Sequence, residues 1–96
     1  AASKAAQLNM VENLAWQLGN KGITINNLAP GVIGTVRNEE VLSNEVFKTK
    51  IEKNIPLGYI GEPDDLASMA LLLCSEAGRY ISGADILVDG GMSLPE

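Results

Sequence analysis

From Ser3 to Leu18 the apolar residues Leu8, Val11, Leu14, Ala15 and Leu18 recur at three- and four-residue intervals, the spacing of one face of an α-helix. Gly19-Asn20-Lys21-Gly22 ends that pattern with C-cap chemistry. Ile23 to Leu28 follows at once, β-branched at first and short, and reads as a strand. A helix joined to a strand by so few residues is half of a βαβ crossover, and that unit predicts an α/β fold with a parallel sheet.

The rest of the chain continues the alternation. Ala29-Pro30-Gly31-Val32-Ile33-Gly34-Thr35 leaves the C-terminal end of the strand, the edge of an open α/β sheet where ligands bind. Glu39 to Asn54 carries Leu42, Val46, Phe47 and Ile51 among many charges, a weaker helical pattern suited to a mobile flap. Glu62-Pro63-Asp64-Asp65 starts a helix, with Pro in the first turn and carboxylates where the macrodipole favours them. From there to about Glu76 the chain is apolar on nearly every side, so this helix is expected to be covered all round. Gly78 ends it, Ile81-Ser82-Gly83 turns the chain, and Ala84 to Val88 forms a second strand closed by Asp89-Gly90-Gly91.

Composition narrows the chemistry. A length of 96 residues allows one compact domain, read as a single unit over 1–96. His is absent and Cys74 is the sole cysteine, which excludes Ser-His-Asp and Cys-His triads, an internal disulfide and a His-bearing metal site. Cys74 sits in an apolar run and is expected to be a small buried thiol in a reducing compartment. The net charge of −5 and two arginines leave no patch for nucleic acid. No stretch is long and apolar enough for a membrane span, so a soluble, cytoplasmic protein is expected. With 46% hydrophobic residues and Trp16 on an otherwise small and polar helix face, surplus apolar surface is expected to meet a partner.

Lys4 projects from the end of the first helix's apolar stripe, one turn before Leu8. In the loop, Pro30 fixes φ, Gly31 allows close backbone approach, and the amides of Val32 and Ile33 with the Thr35 hydroxyl offer donors to a ligand. Asn26 and the Asp89-Gly90-Gly91 turn are read as structural.

Ala2-Ser3-Lys4 at a helix start, Asn26 with Pro30-Gly31 after a strand, Gly61-Glu62-Pro63 before a helix, and Ser82-Gly83 with Val88-Asp89-Gly90-Gly91 at the end together resemble the C-terminal part of the short-chain dehydrogenase/reductase (SDR) family. The resemblance covers the whole chain in order. Within the family, Ile55 to Pro63 and the ending Asp89-Gly90-Gly91-Met92 look most like glucose 1-dehydrogenases. The implied fold is the C-terminal portion of a Rossmann-like doubly wound parallel sheet, ordered helix, strand, loop and flap, helix, strand.

The resemblance further implies a Tyr four residues before Lys4, immediately ahead of Ala1, whose phenol the ammonium would bring towards neutrality. Lys4 would be catalytic and would also hydrogen-bond the nicotinamide ribose. Pro30, Gly31, Val32, Ile33 and Thr35 would contact the nicotinamide carboxamide and the pyrophosphate, with NAD or NADP as cofactor. The implied activity is hydride transfer between nicotinamide and a sugar, polyol or other secondary alcohol or ketone. The glycine-rich phosphate loop and the substrate-orienting Ser of the family have no counterpart in these residues, so the chain reads as a piece that is incomplete alone. A full-length homo-oligomer, dimer or tetramer, is implied as well. The alternative reading is a non-catalytic SDR-like module serving subunit association.

Overall fold

The computed structural model describes residues 2–95; Ala1, expected at the head of the first helix, lies outside them. The chain forms two compact units. The first runs up to Leu28 and includes Met69–Ile86, and the second comprises Ala29–Ser68 and the stretch from Leu87 onward.

In the first unit, α1 spans Ala2–Leu18, as the apolar periodicity requires. Val11 is buried, with Leu8, Ala15 and Leu18 half-buried on the same stripe. The helix tightens into a 3-10 turn at Gly19–Lys21, and Gly22, with φ of 74°, returns its amide to the Gly19 carbonyl. This is the left-handed stop that Gly supplies without a Cβ penalty.

Strand β1 is Asn27–Pro30, four residues later than the β-branched run suggests. Ile25 and Asn26 bond to a turn instead of a strand. The Ile25 amide donates to Ser82 Oγ (3.2 Å) and its carbonyl accepts from the Gly83 amide (2.8 Å). Asn26 closes the same turn from both ends: Nδ2 donates to the Ile81 carbonyl at 3.1 Å and Oδ1 accepts from the Ala84 amide at 3.0 Å. Ladder pairing with β2, Asp85–Val88, begins only past that turn. The Asn27 amide donates to Ala84 in the first unit, and the Gly31 amide donates to Val88 in the second. An equal advance along both strands makes the pair parallel, as the helix-strand order predicts.

The segment expected as one weak helix over Glu39 to Asn54 is two, α2 at Glu39–Leu42 and α3 at Glu45–Lys53. Asn44 is the cause. Its side chain accepts from the Phe47 amide at 3.1 Å, an N-cap that begins a new helix where a single one would have continued. The final helix, α4, spans Pro63–Cys74. Asp65 Oδ2 accepts from the Glu62 amide at 2.7 Å, the back-reaching half of a capping box.

The expected coverage of α4 is not supplied by the described residues. None of its residues is buried, Leu71 is 72% exposed, and Cys74, expected to be buried, is exposed. Trp16 is likewise uncovered, at 89%. No described helix is long and apolar enough to cross a membrane.

Asn26→Ala leaves a backbone carbonyl and an amide without partners at a half-buried turn and should cost about 1–3 kcal/mol in urea unfolding. Asn26→Asp keeps the acceptor for Ala84 but cannot donate to Ile81, so it should recover only part of the loss. Asn54→Ala, which removes an exposed bond to the Lys50 carbonyl, should cost less than about 0.5 kcal/mol.

Candidate functional site

The loop that leaves β1 belongs to the second unit and is held by backbone on one side. The Gly61 amide donates to the Val32 carbonyl (3.0 Å) and the Gly34 amide donates to the Gly61 carbonyl (2.8 Å), an isolated parallel bridge between Ile33 and Gly61. Such a bridge leaves the N–H and C=O of Ile33 pointing away from Gly61. The carbonyl is taken by Asn38 Nδ2 at 2.8 Å. Among the described residues, the amides of Val32 and Ile33 have no acceptor. The loop therefore offers the two amide donors the sequence suggests, on a segment fixed at Ile33, which is only 8% exposed. Thr35 is exposed in extended backbone before a short 3-10 turn, and its side chain caps nothing there.

The glycine at 31 has a cause inside the chain. A Cβ there would lie 2.7 Å from Asp89 Cβ and 2.8 Å from Asp89 Cα. Close approach of a ligand is not needed to explain it. Gly61 is tight as well, but its Cβ would meet the terminal methyl of Ile33 at 2.8 Å, a group that can turn aside.

Asp89 organises the turn after β2. Its carboxylate accepts from the Gly91 amide at 2.9 Å and the Ser93 amide at 3.1 Å. The Ser93 side chain and these amides hold its carboxyl below the ordinary value of 3.8. Gly90 and Gly91 take φ of 65° and 92°, which the turn requires and other residues resist. A cavity of about 480 Å³ opens beside this turn, lined by Val32, Ile33, Ile55, Leu57, Leu87 and Leu94, with Tyr59, Asp65 and Asp89 among its polar groups. A second hollow of about 430 Å³ lies along Gly34, Thr35, Glu39 and Leu42.

Lys4 lies in the first turn of α1, in the first unit, with its side chain exposed. Pro30 is the last residue of β1, also exposed. No group of three acidic or cysteine residues capable of holding a metal forms among the described residues. Sequence reasoning missed Asn38, whose role depends on a contact five residues back that no motif announces.

A strand, a Pro-Gly loop at its C-terminal end and a parallel neighbour define part of a Rossmann-like α/β fold. A family model described as enoyl-(acyl carrier protein) reductase matches residues 1–93. The chain is 42% identical over 90 residues to an L-rhamnose 1-dehydrogenase (NAD(P)(+)) of Azotobacter vinelandii, covering 94% of this chain and 35% of that protein. It is 41% identical over 91 residues to a 7alpha-hydroxysteroid dehydrogenase of Escherichia coli, covering 95% and 35%. Among solved structures it superposes on a 4-hydroxyisoleucine dehydrogenase complexed with NADH at a TM-score of 0.89 and 34% identity, over 99% of this chain and 39% of that one. The chain belongs to the short-chain dehydrogenase/reductase family. It spans about a third of the length of the curated relatives it matches.

Gly31→Ala sets a methyl against the Cα and Cβ of Asp89, which cannot yield, and should destabilise by about 1–3 kcal/mol in chemical unfolding. Gly61→Ala should cost clearly less, since only a rotatable methyl must move. For Asp89, the lowered folded carboxyl value means that its stabilisation is fully present above about pH 4 and is lost as pH falls through that lower value. Asp89→Asn should therefore flatten the dependence of stability on pH on the acid side of pH 4, followed by circular dichroism.

Proposed function

We propose that this chain is the C-terminal part of a single Rossmann-like domain in an NAD(P)-dependent oxidoreductase. The reaction is hydride transfer between nicotinamide and a sugar, polyol or other secondary alcohol, or the matching ketone. The observation that carries this reading is the loop from Pro30 to Thr35, whose free Val32 and Ile33 amides lie on a backbone fixed at Ile33. Two amide donors and a hydroxyl suit the carboxamide and phosphate groups of a dinucleotide. The bound nicotinamide would supply or accept the hydride.

The chain's own residues serve that chemistry in three ways. The Val32 and Ile33 amides and the Thr35 hydroxyl bind and orient the dinucleotide, with Pro30 and Gly31 setting the loop's path. Lys4 hydrogen-bonds the nicotinamide ribose and lowers the pKa of a tyrosine phenol four residues before it, so that this phenol exchanges a proton with the substrate oxygen. The segment Glu39 to Ile60 closes over substrate and limits water. The matched family model is described by an enoyl reductase, but relatives named for sugar and steroid hydroxyl oxidation stand at 41–42% identity, and these favour alcohol chemistry.

The test is a panel of sugars, polyols, hydroxysteroids and an enoyl thioester with NAD+ or NADP+ and their reduced forms, read by nicotinamide absorbance on the protein that contains this chain. Turnover with a hydroxyl substrate is the expected result, and Lys4→Met should lower kcat/KM by about 10²-fold or more. Reduction of the enoyl thioester alone would overturn the alcohol reading, and no dinucleotide binding at all would overturn the whole.

The second reading is a non-catalytic module that associates with other subunits, and the exposure of α4 and Trp16 favours it. Here the protein would form a dimer or tetramer without binding nicotinamide. Sedimentation with and without NAD(P)H separates the two, since the catalytic reading expects an oligomer that also binds the dinucleotide. Its location is proposed to be cytoplasmic.

A further inference from the structure

Asn38 immediately precedes α2, where an asparagine ordinarily turns its side-chain oxygen onto the helix's free amides and contributes about 1 kcal/mol. It makes no such bond. From a half-buried position its Nδ2 donates instead to the Ile33 carbonyl at 2.8 Å. The amide of that same peptide unit, Gly34 N–H, donates to the Gly61 carbonyl at 2.8 Å. The Ile33–Gly34 peptide is thus fixed at both polar ends, and its planarity passes the constraint to both flanking residues.

The second fixing matters because close packing does not hold the loop at Gly34. A Cβ there would meet nothing nearer than the Gly61 carbonyl at 3.7 Å, so packing does not require a glycine, and the residue brings its conformational freedom into the loop. The Gly34 amide holds this peptide on the Gly61 side, and the Asn38 bond holds it on the opposite side.

Resting on the proposed cofactor role of this loop, we propose that Asn38 is a positioning residue. It sets the direction in which the Ile33 amide, and the Thr35 hydroxyl beyond Gly34, meet a nicotinamide dinucleotide. It touches no ligand itself.

The experiment uses Asn38→Ala and Asn38→Asp in the full-length protein, with Gly34→Ala added to each. Amide hydrogen exchange over residues 32–35 should speed by about tenfold, the loss expected for one hydrogen bond. The KM for NAD(P)H should rise by about tenfold, with the KM for substrate changed less than about twofold. Gly34→Ala should restore part of the dinucleotide KM by stiffening the loop without a new contact. Unchanged exchange in either single variant would overturn the proposal, as would equal losses in both KM values with no rescue. If the unsubstituted protein binds no dinucleotide, the proposed function fails and this inference with it. Binding that the variants leave intact sinks this inference alone.

Discussion

The parallel pairing of β1 with β2 supplies a long-range backbone hydrogen bond within each unit. Asn27 to Ala84 and Gly31 to Val88 are joined by backbone hydrogen bonds, and every feature of interest begins at an end of that ladder. At the entry end Asn26 ties the Ile81–Ala84 turn. At the exit end Gly31 lies so close to Asp89 that no side chain fits between them. The loop with the free Val32 and Ile33 amides starts from that crowded point, so its position follows from strand register rather than from its own composition.

The candidate site follows a division of labour within the loop. Residues that bond to the rest of the chain, Gly34 through its amide and Ile33 through its carbonyl, fix the path. The groups left over include the donors the proposal uses: the Val32 and Ile33 amides and the Thr35 hydroxyl. Unpartnered backbone amides are predisposed towards anionic or carbonyl-bearing ligands. The parallel bridge uses the Val32 carbonyl and the Gly34 amide and spares the groups of Ile33, which accounts for the free Ile33 amide.

Much of this was legible in the sequence. The apolar spacing of Leu8, Val11 and Leu18 gave α1, the Gly22 stop was visible as such, and Pro63 with Asp64 and Asp65 marked the start of α4. Local chemistry decides these features. The late start of β1 was not visible, because Ile23 to Ile25 have strand-forming side chains but Ile25 bonds to a turn at Ser82 and Gly83, far along the chain. The break between α2 and α3 turned on one asparagine, Asn44, capping in a stretch where hydrophobic period alone favoured continuity. The burial expected for Cys74 and α4 was wrong: apolar character calls for a covering surface, and the described residues do not provide one. In the loop, the sequence offers the Val32 and Ile33 amides as donors, and among the described residues they have no acceptor. Asn38 was not legible in the sequence, since an asparagine before a helix reads as a cap, and only coordinates reveal that its amide reaches backwards.

The ladder between β1 and β2 also bears on how the chain reaches its structure. Its paired residues are separated by some 57 positions, so most of the polypeptide must be gathered before the first of these bonds forms. Loop closure over that span carries an entropic cost that local helices do not share. α1 and α3 close on local contacts alone, whereas the Pro-Gly loop, which starts from the Gly31–Val88 bond, takes its place only through a contact distant in sequence.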